Sequence, residues 1–256
     1  MEILNITSTQ NDLVKYCTKL QNSKFRKKEK VILLDGEKTI QGLIEDNFEF
    51  EYVFLKEDNI LKNKIKSKNI VFVNDAILKK ISTTNSKSPL IGIIKEPLVD
   101  KKIFKTMDRI ALIDGIKDAG NLGTIIRSAA AFSFDGIILF NDCVDLYSTK
   151  VIRSSTQNMF KLPIYTIKDI NFIKELKKTH TLISTVVDSK KNFINYDFNK
   201  KFILALGSEA NGLSKEILDL SDEKLSFMIN KNVESLNLAI CASIAFALID
   251  FNIFKK

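Results

Sequence analysis

"DAGNLGTIIRSAAAF", residues 118–132, is a glycine turn that runs into an apolar helix. Leu122, Ile125, Ile126, Ala129 and Ala130 recur at the spacing of one helix face, so the stretch predicts a helix over 121–133 packed on a sheet. Arg127 lies off that stripe, where the core does not need it. Asn121 stands at the helix start, where its side chain can cap free N–H groups. A capped surface helix with an ordinary arginine accounts for this stretch taken alone. Common nucleotide loops do not. The chain has no G-x-x-x-x-G-K-[ST], and its first strand is not followed by G-x-G-x-x-G with an acidic residue about twenty positions on.

Outward from this stretch the pattern alternates. "RIALID" (109–114), "GIILF" (136–140), "LPIYTI" (162–167), "TLISTVV" (181–187), "KFILAL" (201–206) and "KLSFMI" (224–229) read as buried strands. Helices are predicted at 147–155, 171–178, within 212–220 and over 235–254. Such alternation predicts an α/β fold with a mainly parallel sheet covered on both faces. Ligands of such sheets bind beyond the carboxyl ends of the strands. Upstream, a basic helix over 10–30 precedes the strands "VILLDG" (31–36), "EYVFLK" (51–56), "NIVFVND" (69–75) and "PLIGIIK" (89–95), with Ile40, Leu43 and Ile44 at helical spacing between the first two. These residues form a smaller α/β unit. The expected domains are therefore 1–100 and 105–256, joined through "EPLVDKKIFKTMD" (96–108).

Two more loops fall at strand ends. "GSEANGLS" (207–214) places Glu209 between Gly207 and Gly212, which permit sharp turns. A helix start capped by Ser214 would not explain two glycines around a carboxylate. "FMINKNVESLNLAI" (227–240) puts a polar loop between two apolar elements, with Ser235 as the expected cap and Asn237 in the first turn. The contrast marks a loop whose backbone groups are free for a ligand.

Taken together, the three stretches resemble the motifs of the SpoU (TrmH-type) branch of the SPOUT RNA methyltransferases. Asn121, Gly123, Arg127 and Ala129 match the first motif; Gly207, Ser208, Glu209, Gly212, Leu213 and Ser214 the second; Ser235, Leu236 and Asn237 the third. Order and spacing agree over roughly 109–254. Ala119, Ser133, Ala210 and the "FMI" at 227–229 depart from the usual residues without touching those candidates. "VKYCTKLQNSKFRKKEKVILLDGEKTIQGLIE" (14–45) resembles, more loosely, the L30e-like substrate-binding domain often fused to this branch.

The resemblance implies methyl transfer from S-adenosylmethionine to a ribose 2′-hydroxyl of RNA, a trefoil knot in the C-terminal part of the sheet, and a homodimer. It implies that Arg127, Glu209, Asn121, Ser235 and Asn237 are catalytic. It implies that Leu206, Gly207, Phe227, Met228, Ile229 and Leu236 hold the cofactor, largely through main-chain groups. A guanidinium is a poor base, so Arg127 reads better as a clamp on RNA phosphate that also stabilises charge growing on the ribose oxygen. The N-terminal domain favours 23S ribosomal RNA over transfer RNA as the substrate.

Composition agrees with these classes. The 256 residues carry a net charge of +8 and are 45% hydrophobic, enough for a core and suited to a polyanionic partner. Lys24, Arg26, Lys27 and Lys28 crowd one segment and are the expected RNA contacts. Cys17, Cys143, Cys241 and the single His180 have no metal-ligand spacing, so no metal site is expected. Free thiols and the lack of a signal-like N-terminus suit the cytoplasm. The longest apolar run, 238–249, is too short to span a bilayer. Two other classes fit the same composition: a non-catalytic, ribosome-associated RNA-binding protein, and a transferase that modifies a base.

Overall fold

The computed structural model describes residues 2–83, 88–198, 200–227, 230 and 236–254. The chain divides into two units, Met1–Leu98 with Tyr147–Gln157, and Val99–Leu146 with Asn158–Lys256.

The first unit contains β1 (Glu2–Ile6), α1 (Asp12–Lys19), α2 (Ser23–Glu29), β2 (Val31–Leu34), α3 (Glu37–Glu45), β3 (Phe50–Leu55), β4 (Ser67–Val73), α4 (Asp75–Ile81) and β5 (Leu90–Lys95). Its sheet runs β1-β4-β3-β5-β2. β1, β4 and β3 are parallel, and β5 is antiparallel to both neighbours. Leu33, Phe54, Val71, Ile77 and Ile93 form part of one core. The single helix expected over 10–30 is two helices, because two asparagines each cap a start. Asn11 accepts from the N–H of Leu13, and Asn22 from those of Lys24 and Phe25.

Arg26 corrects an expectation. It is 7% exposed, and its Nη1 donates to the carbonyls of Leu20 at 2.8 Å and Gln21 at 2.9 Å. Carbonyls at a helix end lack intrahelical donors, and Arg26 supplies them at the corner after α1. Buried on its own backbone, it is not an RNA contact. Lys24, Lys27 and Lys28 are exposed.

The second unit contains β6 (Arg109–Asp114), α5 (Ala119–Ala131), β7 (Gly136–Phe140), β8 (Ile164–Thr166), α7 (Asn171–Leu176), β9 (Thr181–Thr185), β10 (Phe202–Gly207), α8 (Lys215–Leu220), β11 (Glu223–Leu225) and α9 (Leu238–Phe254). The helix that intervenes after β7, α6 (Thr149–Ser155), belongs to the first unit, where it packs on β2. The 105–256 boundary therefore needs this exception. The sheet order is β11-β9-β10-β6-β7-β8, and every pair is parallel.

On one face, Ile110, Leu112, Ile138, Ile203, Phe172 and Ile217 belong to a single core cluster that takes in α7 and α8. α5 and α9 pack on each other, and the Ser128 and Ser243 hydroxyls meet between them at 2.7 Å. Phe134 packs against both Phe202 of β10 and Phe246 of α9. An ion pair of 2.8 Å from Arg109 to Asp250 ties the start of β6 to the end of α9. Among the described residues, no helix is long and apolar enough to cross a membrane. His180 is buried, with its ring nitrogens beside the carbonyls of Leu176 (3.1 Å) and Met107 (2.9 Å), which is a packing role.

Candidate active site

The three loops meet at the carboxyl ends of β6 and β10, where an open parallel sheet places its ligand. α5 begins two residues before the expected start. Its cap is Asp118, whose carboxylate accepts from the backbone N–H of Asn121 at 2.8 Å. Asn121 is therefore not the cap, and its side chain is free for other bonds. Its amide nitrogen donates to Oε1 of Glu209, and its oxygen accepts from Nδ2 of Asn237 at 3.2 Å. Asn237 in turn caps α9, since its oxygen accepts from the N–H groups of Ala239 (3.0 Å) and Ile240 (3.3 Å). One chain of side-chain hydrogen bonds thus joins the three loops. Ser235, the expected cap, lies outside the described residues.

The loop after β10 closes on itself. Ser208 and Gly212 exchange backbone hydrogen bonds of 3.1 and 2.8 Å. A Cβ on Gly207 would fall 2.1 Å from the carbonyl carbon of Gly212, and Gly212 has φ +64°. The two glycines around Glu209 are what this tight loop requires.

Beneath the loop lies a carboxylate that sequence reasoning missed. Asp114, at the end of β6, is 3% exposed. Its Oδ1 accepts from Asn141 Nδ2 at 2.5 Å, and its Oδ2 accepts from the backbone N–H of Ser214 at 2.7 Å. It pins the turn after β7 and the far end of the 207–214 loop to one point. The signal was an acidic residue closing the apolar run "RIALID". Ser214 holds the first position before α8, but its side chain makes no capping bond.

Beside the loop is a cleft of about 340 Å³. Gly207, Glu209, Phe227, Leu236 and Cys241 line it, with the end of β9 as one wall. Of the expected cofactor residues, Gly207, Phe227 and Leu236 are placed there. Leu206 is wholly buried in β10 opposite Ile113 and is not among the lining residues. Met228 and Ile229 lie outside the described residues. Burial pushes the Cys241 thiol up to about 11, so it remains a neutral wall of the cleft at physiological pH. Arg127 is exposed on α5 and makes no hydrogen bond or ion pair among the described residues. Among the described residues, no hydrogen bond or ion pair joins it to the Asn121–Glu209–Asn237 chain.

Residues 108–247, more than half of the chain, match the SpoU rRNA Methylase family. The chain belongs to that family. Residues 11–92 match the MRM3-like substrate binding domain. An uncharacterized tRNA/rRNA methyltransferase of Synechocystis is 30% identical over 95% of this chain and 92% of its own length. The 23S rRNA (guanosine(2553)-2'-O)-methyltransferase RlmP of Bacillus subtilis is 24% identical over 93% of this chain and 96% of its own. The fold is that of an AdoMet-bound rRNA methyltransferase from Sinorhizobium meliloti, with a TM-score of 0.86, 22% identity and coverage of 96% and 97% of the two chains. The SpoU methyltransferase AviRb from Streptomyces viridochromogenes, also solved with AdoMet, gives a TM-score of 0.85 at 22% identity, covering 96% and 99%. In this SpoU methylase the hydrogen-bonded chain and the cleft both lie inside the matched segment.

Proposed function

We propose that this SpoU methylase transfers a methyl group from S-adenosylmethionine to a ribose 2′-hydroxyl of 23S ribosomal RNA. The observation that carries the reading is the Asn121–Glu209–Asn237 chain, which gathers three distant motifs at one edge of the cleft. The cleft suits a nucleoside sulfonium. Its volume is that of a small-molecule site, and Phe227, Leu236 and Leu238 give it apolar walls beside the polar 207–212 loop. Gly207, Phe227 and Leu236 would hold the cofactor, together with Leu206 through its backbone and with Met228 and Ile229. Bound there, S-adenosylmethionine supplies an activated methyl on a good leaving group.

The protein's own task is alignment and charge. Glu209 keeps one carboxylate oxygen on Asn121, and its other oxygen, which has no partner among the described residues, can meet a hydroxyl or a cation. Asn121 and Asn237 fix that carboxylate against the first turns of α5 and α9, and Ser235 completes the third motif. Arg127 is solvent-facing and unpaired among the described residues, and in this reading it grips an RNA phosphate and steadies charge on the attacking oxygen. Lys24, Lys27 and Lys28 form an exposed basic face on the substrate-binding domain. A homodimer, a trefoil knot and action in the cytoplasm belong to the same reading.

The test is transfer of labelled methyl from S-adenosylmethionine to ribosomal RNA, followed by digestion to nucleosides. Label on a 2′-O-methylated ribose is expected. Label on a base would replace this reading with base methylation. Folded protein that fails to bind the cofactor would leave only an RNA-binding role.

A further inference from the structure

A second cavity, of about 590 Å³, lies at the other end of the same sheet. Thr181 and Phe202, which open β9 and β10, line it, as does Glu223, which opens β11. The 340 Å³ cleft instead takes the carboxyl end of β9. The two ends of β9 are about 13 Å apart at the rise of a strand, so one nucleotide cannot fill both.

The outer wall is residues 190–198, and it is held in place. Asn192 pairs with Ser226 beside β11, and Ser226 N donates to Lys191 O at 3.1 Å. Asn192 Oδ1 accepts from the N–H groups of Ile194 and Asn195, each at 3.1 Å. Phe193 is buried and stacks on Phe227 at 4.5 Å, and its carbonyl accepts from Asn252 of α9. The cavity is therefore preformed, which lowers the ordering cost of binding.

Its chemistry is mixed in a specific way. Ile183, Phe198 and Phe202 give an apolar floor, and Tyr196 stands edge-on to Phe198 at 4.8 Å. Burial, with Glu223 and Asp197 near, raises the Tyr196 phenol, which stays a hydrogen-bond donor. Both carboxylates are engaged: Glu223 pairs with Lys191 at 2.5 Å, and Asp197 has a partner of its own. Lys190 and Lys200 have no ion pair among the described residues. What is left over is two ammonium groups beside an aromatic and amide-bearing pocket. That set fits a nucleotide, with its base on the apolar floor and its phosphate on the lysines. An extended acidic peptide would seek a free sheet edge, but the 189–192 segment already lies along β11.

We propose that this cavity is an accessory nucleotide pocket that takes one unstacked nucleotide of the RNA substrate, away from the nucleotide that is methylated. The proposal rests on RNA being the substrate. It assigns Lys190 and Lys200 to phosphate and Tyr196 to the base or ribose.

The test uses the full chain, the four nucleoside 5′-monophosphates and a ribosomal RNA fragment. In amide NMR titrations up to about 10 mM, at least one nucleotide should shift the 190–198 signals saturably, because a single-nucleotide site is expected to bind weakly. Lys190→Ala with Lys200→Ala should weaken RNA binding about tenfold and flatten its salt slope by about 0.7 to 1.4, the value for one or two single-strand phosphates. Tyr196→Ala should weaken RNA binding about fivefold or more, from lost stacking, without changing that slope. Calorimetry should give unchanged affinity for S-adenosylmethionine in all variants. RNA affinity within about twofold of wild type in the lysine variant would overturn the proposal, even if free nucleotides bind. An equal loss of S-adenosylmethionine affinity would overturn it too. All readouts are of binding, so they stand whether or not methyl transfer to ribose is found.

Discussion

Arg127 and Asp114 are opposites at the residue scale. Arg127 is exposed and unpaired among the described residues, so the fold does not depend on it. Arg127→Ala should keep the melting temperature and cofactor affinity, while single-turnover methyl transfer slows by roughly two to three orders of magnitude. Arg127→Lys should recover only part of the rate, because an ammonium lacks the planar two-pronged contact. Near-normal rates in the alanine variant would remove Arg127 from the mechanism. Asp114 is buried and lines neither of the two cavities described, yet it holds Ser214 at the end of the loop that lines the 340 Å³ cleft. Asp114→Ala strands two donors, at a cost of about 1–3 kcal/mol, and where that cost falls on the loop's working shape cofactor affinity should fall about 5- to 150-fold. Asp114→Asn should restore most of it, since Asn141 can turn its amide and both bonds can form. Calorimetry that finds the alanine and asparagine variants alike would sink this positioning role.

The elements show what the sequence revealed and what it hid. Buried strands such as "RIALID" and "KFILAL" were legible because both faces are covered, so the whole run is apolar. β1 was not, because it lies at a sheet edge and most of it is exposed. Helix starts were misjudged by the rivalry of neighbouring caps: Asp118 outcompetes Asn121, which is then free to join the site. The allegiance of α6 and the burial of Arg26 are tertiary facts that no local pattern carries. The glycines of 207–214 were legible as a special turn, and their geometry makes two different predictions. Gly212→Ala meets open space but keeps φ +64°, so it should cost about 1 kcal/mol and leave a working cleft. Gly207→Ala puts a methyl into the backbone of Gly212, so the loop must open. Cofactor binding should fall far more in Gly207→Ala than in Gly212→Ala, and isothermal calorimetry on both would reveal the reverse order if the loop were tolerant.

For the whole molecule, α9 sets the strongest demand. Ala242, Ala245, Phe246 and Ile249 are buried on its inner face, while Ile240, Ile244 and Phe251 are 53%, 39% and 63% exposed. Their spacing puts these three on one outer face of a 17-residue helix. Large apolar side chains aligned in this way mark an interaction surface. A second copy is the occupant this reading expects, and a two-fold arrangement would bring the same face of α9 from each subunit together. Sedimentation at micromolar concentration should then show a dimer. Ile240→Asp with Ile244→Asp would bury unpaired carboxylates in that contact while leaving the inner face untouched. A loss of about 2–4 kcal/mol corresponds to a dimer weakened about 30- to 1,000-fold, enough to give monomer with an unchanged helical spectrum. If wild type is already a stable monomer at that concentration, the dimer is rejected and the outer face of α9 needs another partner.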